Sequence, residues 1–444
     1  MSYQESLKYL DSFIDYERFD TYQYQTSFRL SRVEGLLSRM GDPHKKFKGI
    51  HVAGTKGKGS TCAMVASILH GSGYSVGLYT SPHLNSVRER INIDGTDITE
   101  EEFSHLVSKW RKLLDDFKTK ERDLSYFEVL TALAFSYFDE RRVDFAVLET
   151  GMGGRLDATN VTEPLVCGIT PISYEHTEKL GSTLTAIARE KAAIIKPGAH
   201  VVSAPQDQEA RDVIRARCDE TGASLYEVGR DITFRRESYD SDGQTFTIKG
   251  ISKIYPILKI PFLGDHQLIN GAVAVGIVES LTLSLFAVTE GAIRTGLAST
   301  RWPGRLEVVE RQPTIVLDGA QNRRSAAALR TAIEKFFDYD RLILVIGVSK
   351  DKDIGGILDE LLPIADELVI TKARWPRAKD PERIKEAIPD GFNGRISLTL
   401  SAGEALSLAK GSAKKRDLIL VTGSLYIVGE AREILTKELC EISV

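Results

Sequence analysis

The chain has little of what marks the special protein classes. Its four cysteines, Cys62, Cys167, Cys218 and Cys440, are widely spaced and form no Cys-x-x-Cys pair. That spacing fits reduced thiols in a cytosolic protein better than a disulfide frame or a zinc site. No run of about 18 apolar residues occurs, so a membrane span is not expected. Met1–Asp20 is polar and charged with no apolar stretch, so no secretory leader is read there. Excess positive charge is missing too: 58 Lys and Arg face 62 Asp and Glu, a formal net charge of -4. Binding of nucleic acid through bulk positive charge is therefore not expected. Internal repeats and low-complexity segments are also lacking. What remains is an ordinary globular composition, 42% apolar and 27% charged, over 444 residues. At roughly 150 residues per domain this suggests two or three domains. The expectation is a soluble cytoplasmic enzyme.

Short apolar runs alternate with longer amphipathic stretches. Phe47–Ala53, Ser75–Tyr79, Asp144–Glu149 and Leu165–Ile169 read as strands. Ser60–His70 reads as a helix, and Ala186–Lys196 as one that stops at Pro197-Gly198. Thr99 with Glu102, and Ser125 with Glu128, have capping-box spacing before helical patterns. Strands alternating with helices predict an α/β fold with a mostly parallel sheet covered on both faces. Ile232–Leu263 differs: it alternates around Ser241-Asp242-Gly243 and predicts antiparallel hairpins, followed by a helix over His266–Ser284. Pro, Gly and Trp interrupt the pattern near Ala298–Arg305. Beyond it, Thr314–Leu317, Arg341–Ile346, Glu367–Thr371 and Asp417–Val421 restart the alternation. This predicts a large domain over 1–298, a linker at 299–305 and a smaller α/β domain over 306–444.

The sharpest motif is Gly54-Thr55-Lys56-Gly57-Lys58-Gly59-Ser60-Thr61, between a strand and a helix. Phosphate needs converging backbone amides, and glycines let the backbone approach closely. The helix start adds free amides and the positive end of its dipole. Lys58 can reach the β- and γ-phosphates, and Ser60 or Thr61 can place a hydroxyl near Mg²⁺. The spacing departs from the standard phosphate loop: no glycine lies five residues before Gly57, and Gly59 separates Lys58 from the hydroxyl.

Other polar groups follow the predicted strands, where α/β proteins place ligands. Ser81 and His83 lie in Thr80-Ser81-Pro82-His83. Glu149 ends a strand, a natural position for a Mg²⁺ ligand, and Gly151–Gly154 open a loop from Arg155 to Asn160. His176 lies just past the Leu165–Ile169 strand. Alone, the Thr80–His83 segment reads first as an ordinary strand-ending turn, Glu149 as either a solvated loop carboxylate or a ligand, and His176 first as a structural histidine. Lys191 reads first as a surface lysine, but the apolar residues after it suggest partial burial, which lowers a lysine pKa. Beyond the linker, Asp318 follows a strand, and Arg305 is placed to swing onto phosphate.

Taken together, these segments resemble the folylpolyglutamate synthase/dihydrofolate synthase family, a branch of the Mur ligases. The carrying segments are His51–Ser60, Thr80–Leu84, Val87–Ile91, Glu149–Gly151 with Gly153–Asn160, Arg189–Ala192, Gly264–Gln267 with Asn270, and Pro303–Arg305. They run in family order along nearly the whole chain. The resemblance implies a Mur-ligase-like phosphate-loop domain with a mainly parallel sheet, and a smaller Rossmann-like C-terminal α/β domain. It implies an ATP-dependent amide ligase adding L-glutamate to dihydropteroate, to folate polyglutamates, or to both, through an acyl phosphate. By similarity, Gly54–Thr61, Asn270, Arg305 and Asp318 contact ATP, with Lys58 also catalytic. Ser81, Glu149 and His176 match ligands of one or two Mg²⁺ ions, and Lys191 matches a lysine carbamylated in many members (N6-carboxylysine). His83, Arg155 and Asp157 fall on the pterin-substrate side. The implied protein is a cytoplasmic monomer whose partners are small molecules, with neither nucleic acid nor membrane.

One departure stands out. Where the family often reads Asp-Gly-Ala-His-Asn-Pro, this chain has Asp318-Gly319-Ala320-Gln321-Asn322-Arg323. Gln321 keeps a donor and an acceptor but carries no charge. Two other readings share the core motifs: a cell-wall Mur-type amino-acid ligase and a non-catalytic nucleotide-binding regulator.

Overall fold

The structure is a computed structural model and describes residues 1–18, 24–121 and 124–442. The chain divides into two compact units. The first comprises Met1–Ser238, Thr245–Pro261 and His266–Arg301; the second comprises Tyr239–Gln244, Phe262–Asp265 and Trp302–Val444. Among the described residues the strands form three sheets.

The largest sheet holds β1 (Lys48–Ala53), β2 (Val76–Tyr79), β3 (Ile91–Ile93), β4 (Thr96–Asp97), β5 (Phe145–Glu149), β6 (Pro164–Ile169), β7 (His200–Ser203) and β8 (Ser224–Glu227). Its order is β4-β3-β2-β5-β1-β6-β7-β8. From β2 to β8 every pairing is parallel, while β3 and β4 add an antiparallel edge. Strands β2 and β5 are buried along their whole length, and β1 along all but its first residue. That is why they read as continuous apolar runs rather than alternating ones: helices cover both faces. One covering layer is built on the helix Tyr126–Glu140, whose Phe135 and Phe138 are fully buried. Ser125 and Glu128 close the expected capping box at its start, and Thr99 with Glu102 close the other.

One helix differs from the sequence reading at both ends. The helix expected over Ala186–Lys196 spans Leu184–Ala192. It ends early because Ile194 and Ile195 turn inward, fully buried, into the cluster with Ile169, Ile187 and Val201. The region expected as hairpins holds β9 (Thr233–Asp240), β10 (Gly243–Lys249) and β11 (Ile254–Ile260), in the order β11-β10-β9.

The second unit carries β12 (Glu307–Arg311), β13 (Thr314–Leu317), β14 (Leu342–Ile346), β15 (Glu367–Ile370), β16 (Arg395–Leu398) and β17 (Leu418–Thr422). Their order is β12-β13-β17-β14-β15-β16, antiparallel only at the β12–β13 edge. Its own core gathers Val316, Ile333, Leu344, Leu358 and Leu420. Cys62, Cys167 and Cys218 are buried free thiols, while the Cys440 side chain lies outside the described residues. Among the described residues no helix is long and apolar enough to cross a membrane.

Candidate active site

Strand order brings the motifs together. β2, β5, β1 and β6 are consecutive and parallel, so their carboxyl ends share one edge of the sheet. Gly54 follows β1, Ser81 follows β2, Glu149 ends β5, and Thr170 follows β6. A crevice at this edge is where open α/β sheets bind ligands.

The phosphate loop needs its glycines for two separate reasons. Gly54 and Gly57 have φ of 149° and 90°, in the region L side chains avoid. A Cβ at Gly54 would also run into Thr170, and one at Gly57 into the Asn270 amide. Asn270 is buried in the helix Asp265–Leu283 and is braced by Gln267, its Nδ2 donating to Gln267 Oε1 at 2.9 Å. The helix Lys58–Gly71 starts at Gly57 without a side-chain cap. Its first-turn amides therefore remain free for an anion. The Thr61 hydroxyl is buried without a hydrogen-bond partner. Thr55 braces the loop: it donates from N to Pro171 O (3.0 Å) and from Oγ1 to Ser173 O (3.1 Å), tying the loop to the segment after β6.

Charges surround the loop. Lys56 Nζ meets Glu175 Oε1 at 2.5 Å. Lys58 Nζ stands 4.0 Å from Glu149 Oε1, and Ser81 N donates to Glu149 Oε2 at 3.1 Å. His176 is exposed and left-handed (φ 53°), just before the short helix Thr177–Leu180. Burial would raise the Glu175 carboxyl, but Lys56, with His176 and Lys58, holds it below the usual value. Ser81 and Lys58 thus both reach Glu149, and Glu175 feels both His176 and Lys58.

This donor set suits magnesium better than a transition metal. Mg²⁺ takes one or two carboxylates and fills its remaining positions with phosphate oxygens and water. One buried carboxylate, one hydroxyl residue and the unsatisfied Thr61 hydroxyl beside a phosphate loop meet that description. Among the described residues no group of three His, Cys, Asp or Glu side chains gathers as a self-sufficient metal cage.

Lys191 is more buried than its sequence suggested, at 5% exposure. Its Nζ donates to Gly54 O at 2.7 Å. Burial, then the nearby Lys58 charge, lowers it from 10.5 to about 7. The amine is therefore substantially neutral at physiological pH, the state that reacts as a nucleophile.

The residues expected on the substrate side fall into two settings. His83 lies after β2, and its Nδ1 accepts from Arg90 Nε at 2.9 Å. Burial and Arg90 push it down to about 3. Asp157 is buried and organises its own loop: Oδ2 accepts from Met152 N (2.9 Å), and Oδ1 accepts from Thr159 N (3.1 Å) and Thr159 Oγ1 (2.5 Å). Arg155 is half-exposed and straps that loop to the Lys191 helix through Glu190, by N to O (2.8 Å) and Nε to Oε1 (2.9 Å).

In the second unit Asp318 follows β13. It accepts from Leu306 N and from Ala320 N, each at 2.9 Å. Burial raises its carboxyl, and the Arg305 charge opposes that rise. The departing segment has a plain local account. Asn322 caps the helix Arg323–Phe336 through Ser325 N, and Arg323 pairs with Glu360 at 3.3 Å. Arg323 thereby takes the helix-opening position that suits proline.

Sequence reasoning missed Glu17 and Arg90. Glu89 is spent capping Ser86, which leaves Arg90 to find a partner 73 residues away. No local spacing carries that signal.

Comparison with known proteins agrees with this geometry. Residues 52–278 match the Mur ligase middle domain, and residues 304–425 match the Mur ligase glutamate ligase domain. Fold and site thus define a Mur-type ligase. A Bacillus subtilis protein named dihydrofolate synthase/folylpolyglutamate synthase is 34% identical over 91% of this chain and 94% of its own length. A Haloferax volcanii protein named probable bifunctional folylpolyglutamate synthase/dihydropteroate synthase is 37% identical over 98% of this chain. The chain spans about half of that relative, 51% of its length. The solved structure of Mycobacterium tuberculosis folylpolyglutamate synthase complexed with ADP superposes with a TM-score of 0.88, at 32% identity over 98% of each chain. The chain belongs to the dihydrofolate synthase/folylpolyglutamate synthase family.

Proposed function

We propose that the chain joins L-glutamate to dihydropteroate, to reduced folate polyglutamates, or to both, at the cost of ATP. The observation that carries this reading is the convergence of Gly54–Thr61, Ser81, Glu149 and Lys191 at the carboxyl edge of one parallel sheet. The similar M. tuberculosis protein was solved with ADP, which supports ATP at this loop. We assign ATP and catalysis chiefly to 1–298, with Arg305 supplied by the linker 299–305 and Asp318 by 306–444.

The chemistry follows from the residues. Phosphoryl transfer asks for charge neutralisation and in-line placement more than covalent help. The free amides after Gly57 and the Lys58 ammonium would hold the γ-phosphate, with Lys56 and Asn270 beside the loop. The substrate carboxylate attacks the γ-phosphorus, the bond to the bridging oxygen breaks, ADP leaves, and an acyl phosphate forms. The neutral glutamate amine then attacks the acyl carbon, and the tetrahedral adduct collapses to the amide as phosphate and the amine proton leave. Ser81, Glu149 and His176 would hold Mg²⁺, which supplies charge for the polyphosphate when bound. Lys191, neutral enough to take up CO₂, would become an anionic carbamate near that region. His83, Arg155 and Asp157 belong to the pterin side. Action as a cytoplasmic monomer is part of the same proposal, tested by gel filtration and fractionation.

An ATP-dependent assay with dihydropteroate and labelled glutamate tests the reading. Formation of labelled dihydrofolate and ADP supports it. Folded enzyme that ligates no pterin acid overturns it.

A further inference from the structure

On the sheet edge that carries the phosphate loop, at the carboxyl end of β2, His83 belongs to a second polar construction, and the chemistry above makes no use of its Arg90 and Glu17. The chain leaves β2, passes His83, and returns through the turn Val87–Arg90 into the antiparallel β3. Arg90 is thereby set beside His83 and is 1% exposed. Its Nε donates to His83 Nδ1 at 2.9 Å, and Nη1 and Nη2 donate to the two carboxylate oxygens of Glu17 at 2.8 and 2.7 Å. The guanidinium also lies over the Tyr126 ring, 5.8 Å from its centroid. Burying such a pair costs free energy unless its geometry is nearly ideal, and stability alone is a weak reason to keep one.

The hydrogen chemistry is one-directional. A guanidinium has five N–H donors and no acceptor. The His83 nitrogen facing Arg90 must therefore present its lone pair, and a neutral ring then carries its proton on Nε2. Among the described residues Nε2 has no hydrogen-bond partner, and it is not sealed off as a buried orphan. A fixed donor thus stands ready at the carboxyl end of β2, held by the guanidinium that lies over the Tyr126 ring.

We propose that Arg90, clamped by Glu17, is a positioning residue that fixes the tautomer of His83, so that His83 Nε2–H donates to an acceptor on the heteroaromatic part of the acyl substrate. The acceptor is a ring carbonyl oxygen or a bare ring nitrogen, and the amine substrate and ATP play no part in it. This rests on the reading of the acyl substrate as a pterin acid. It makes position 83 a specificity determinant: a ring carrying a donor at that place meets a second donor and is rejected.

The test uses the full chain with ¹⁵N-labelled histidine. The His83 resonances are assigned by comparison with His83→Gln. The wild-type spectrum should show a protonated, pyrrole-type Nε2 and a bare, pyridine-type Nδ1. Arg90→Met, with folding checked by circular dichroism, should show a mixture of tautomers. If that variant does not fold, Glu17→Gln/Arg90→Met removes both charges, and the wild-type spectrum alone still decides the tautomer. In turnover, His83→Phe should raise KM for the pterin acid about five- to tenfold, the span of one lost neutral hydrogen bond, with KM for ATP unmoved. His83→Gln, which keeps an amide donor, should stay within about threefold of wild type. A proton on Nδ1 in the wild type, or equal changes in both KM values, overturns the proposal. Wild-type enzyme that ligates no pterin acid overturns the functional reading and the donor role with it, while the spectrum still decides the lock.

Discussion

Replacing Lys191 by methionine should make the protein more stable, and only on the acid side. Lys191 is 5% exposed, and its amine is lowered from 10.5 to about 7. A shift of that size corresponds to about 5 kcal/mol of folding free energy, at about 1.4 kcal/mol per unit. Below pH 7 both folded and unfolded chains hold the proton, so the whole cost of burying the cation is present. Between pH 7 and about 10.5 the folded chain has released the proton while the unfolded chain keeps it. Stability therefore rises with pH across that window, and the cost is gone above it. Methionine matches the length and removes the charge, but it forfeits the 2.7 Å bond to Gly54 O, worth about 1 kcal/mol. The net gain at pH 6 should be about 2–4 kcal/mol, read as a rise of about 2–4 °C in Tm for a chain of this length. By pH 10 it should shrink to nothing or reverse. Thermal unfolding of both proteins in CO₂-free buffer at pH 6, 8 and 10 measures this. A Tm difference that is the same at all three values, or a less stable variant at pH 6, would refute the claim that an unmodified, desolvated amine sits under the loop.

Three further outcomes follow from the same geometry. Lys58→Ala should reduce ligation by at least about a hundredfold without changing the circular dichroism spectrum, since the loop backbone does not depend on that side chain; near-normal turnover would contradict its phosphate role. Gly57→Ala should cost about 1–2 kcal/mol in backbone strain and also displace Asn270, so weakened ATP binding in a folded protein is expected by titration calorimetry. Lys191→Ala should lower kcat, and formate or acetate should restore part of it; no rescue at any concentration would remove the case for a carbamate.

The parts of this protein legible in its sequence were those with a local physical cause. Buried parallel strands such as β1 and β5 announce themselves as apolar runs, and the Ser125–Glu128 box announces the helix after it. The phosphate loop was legible because glycine is costly in ordinary elements and these positions require it. Ends set by distant packing were not legible. The Lys191 helix stops at Ala192 because Ile194 and Ile195 find a core supplied by β6 and β7. The burial of Lys191 depends on Gly54, 137 residues earlier, and the state of His83 depends on Glu17 through Arg90. Arg323 departs from the family segment, and its place as a helix start paired to Glu360 could not be read from the motif. Spacing in the chain carries no trace of such contacts, because the sheet order creates them.

The central claim is that this site uses ATP to join glutamate to a pterin acid. Its most direct test offers dihydropteroate and tetrahydrofolate separately, each with labelled glutamate, ATP and Mg²⁺. Label should enter at least one acceptor with one ADP released per bond formed, and none without ATP. Enzyme that binds ADP but transfers no label to either acceptor would contradict the account.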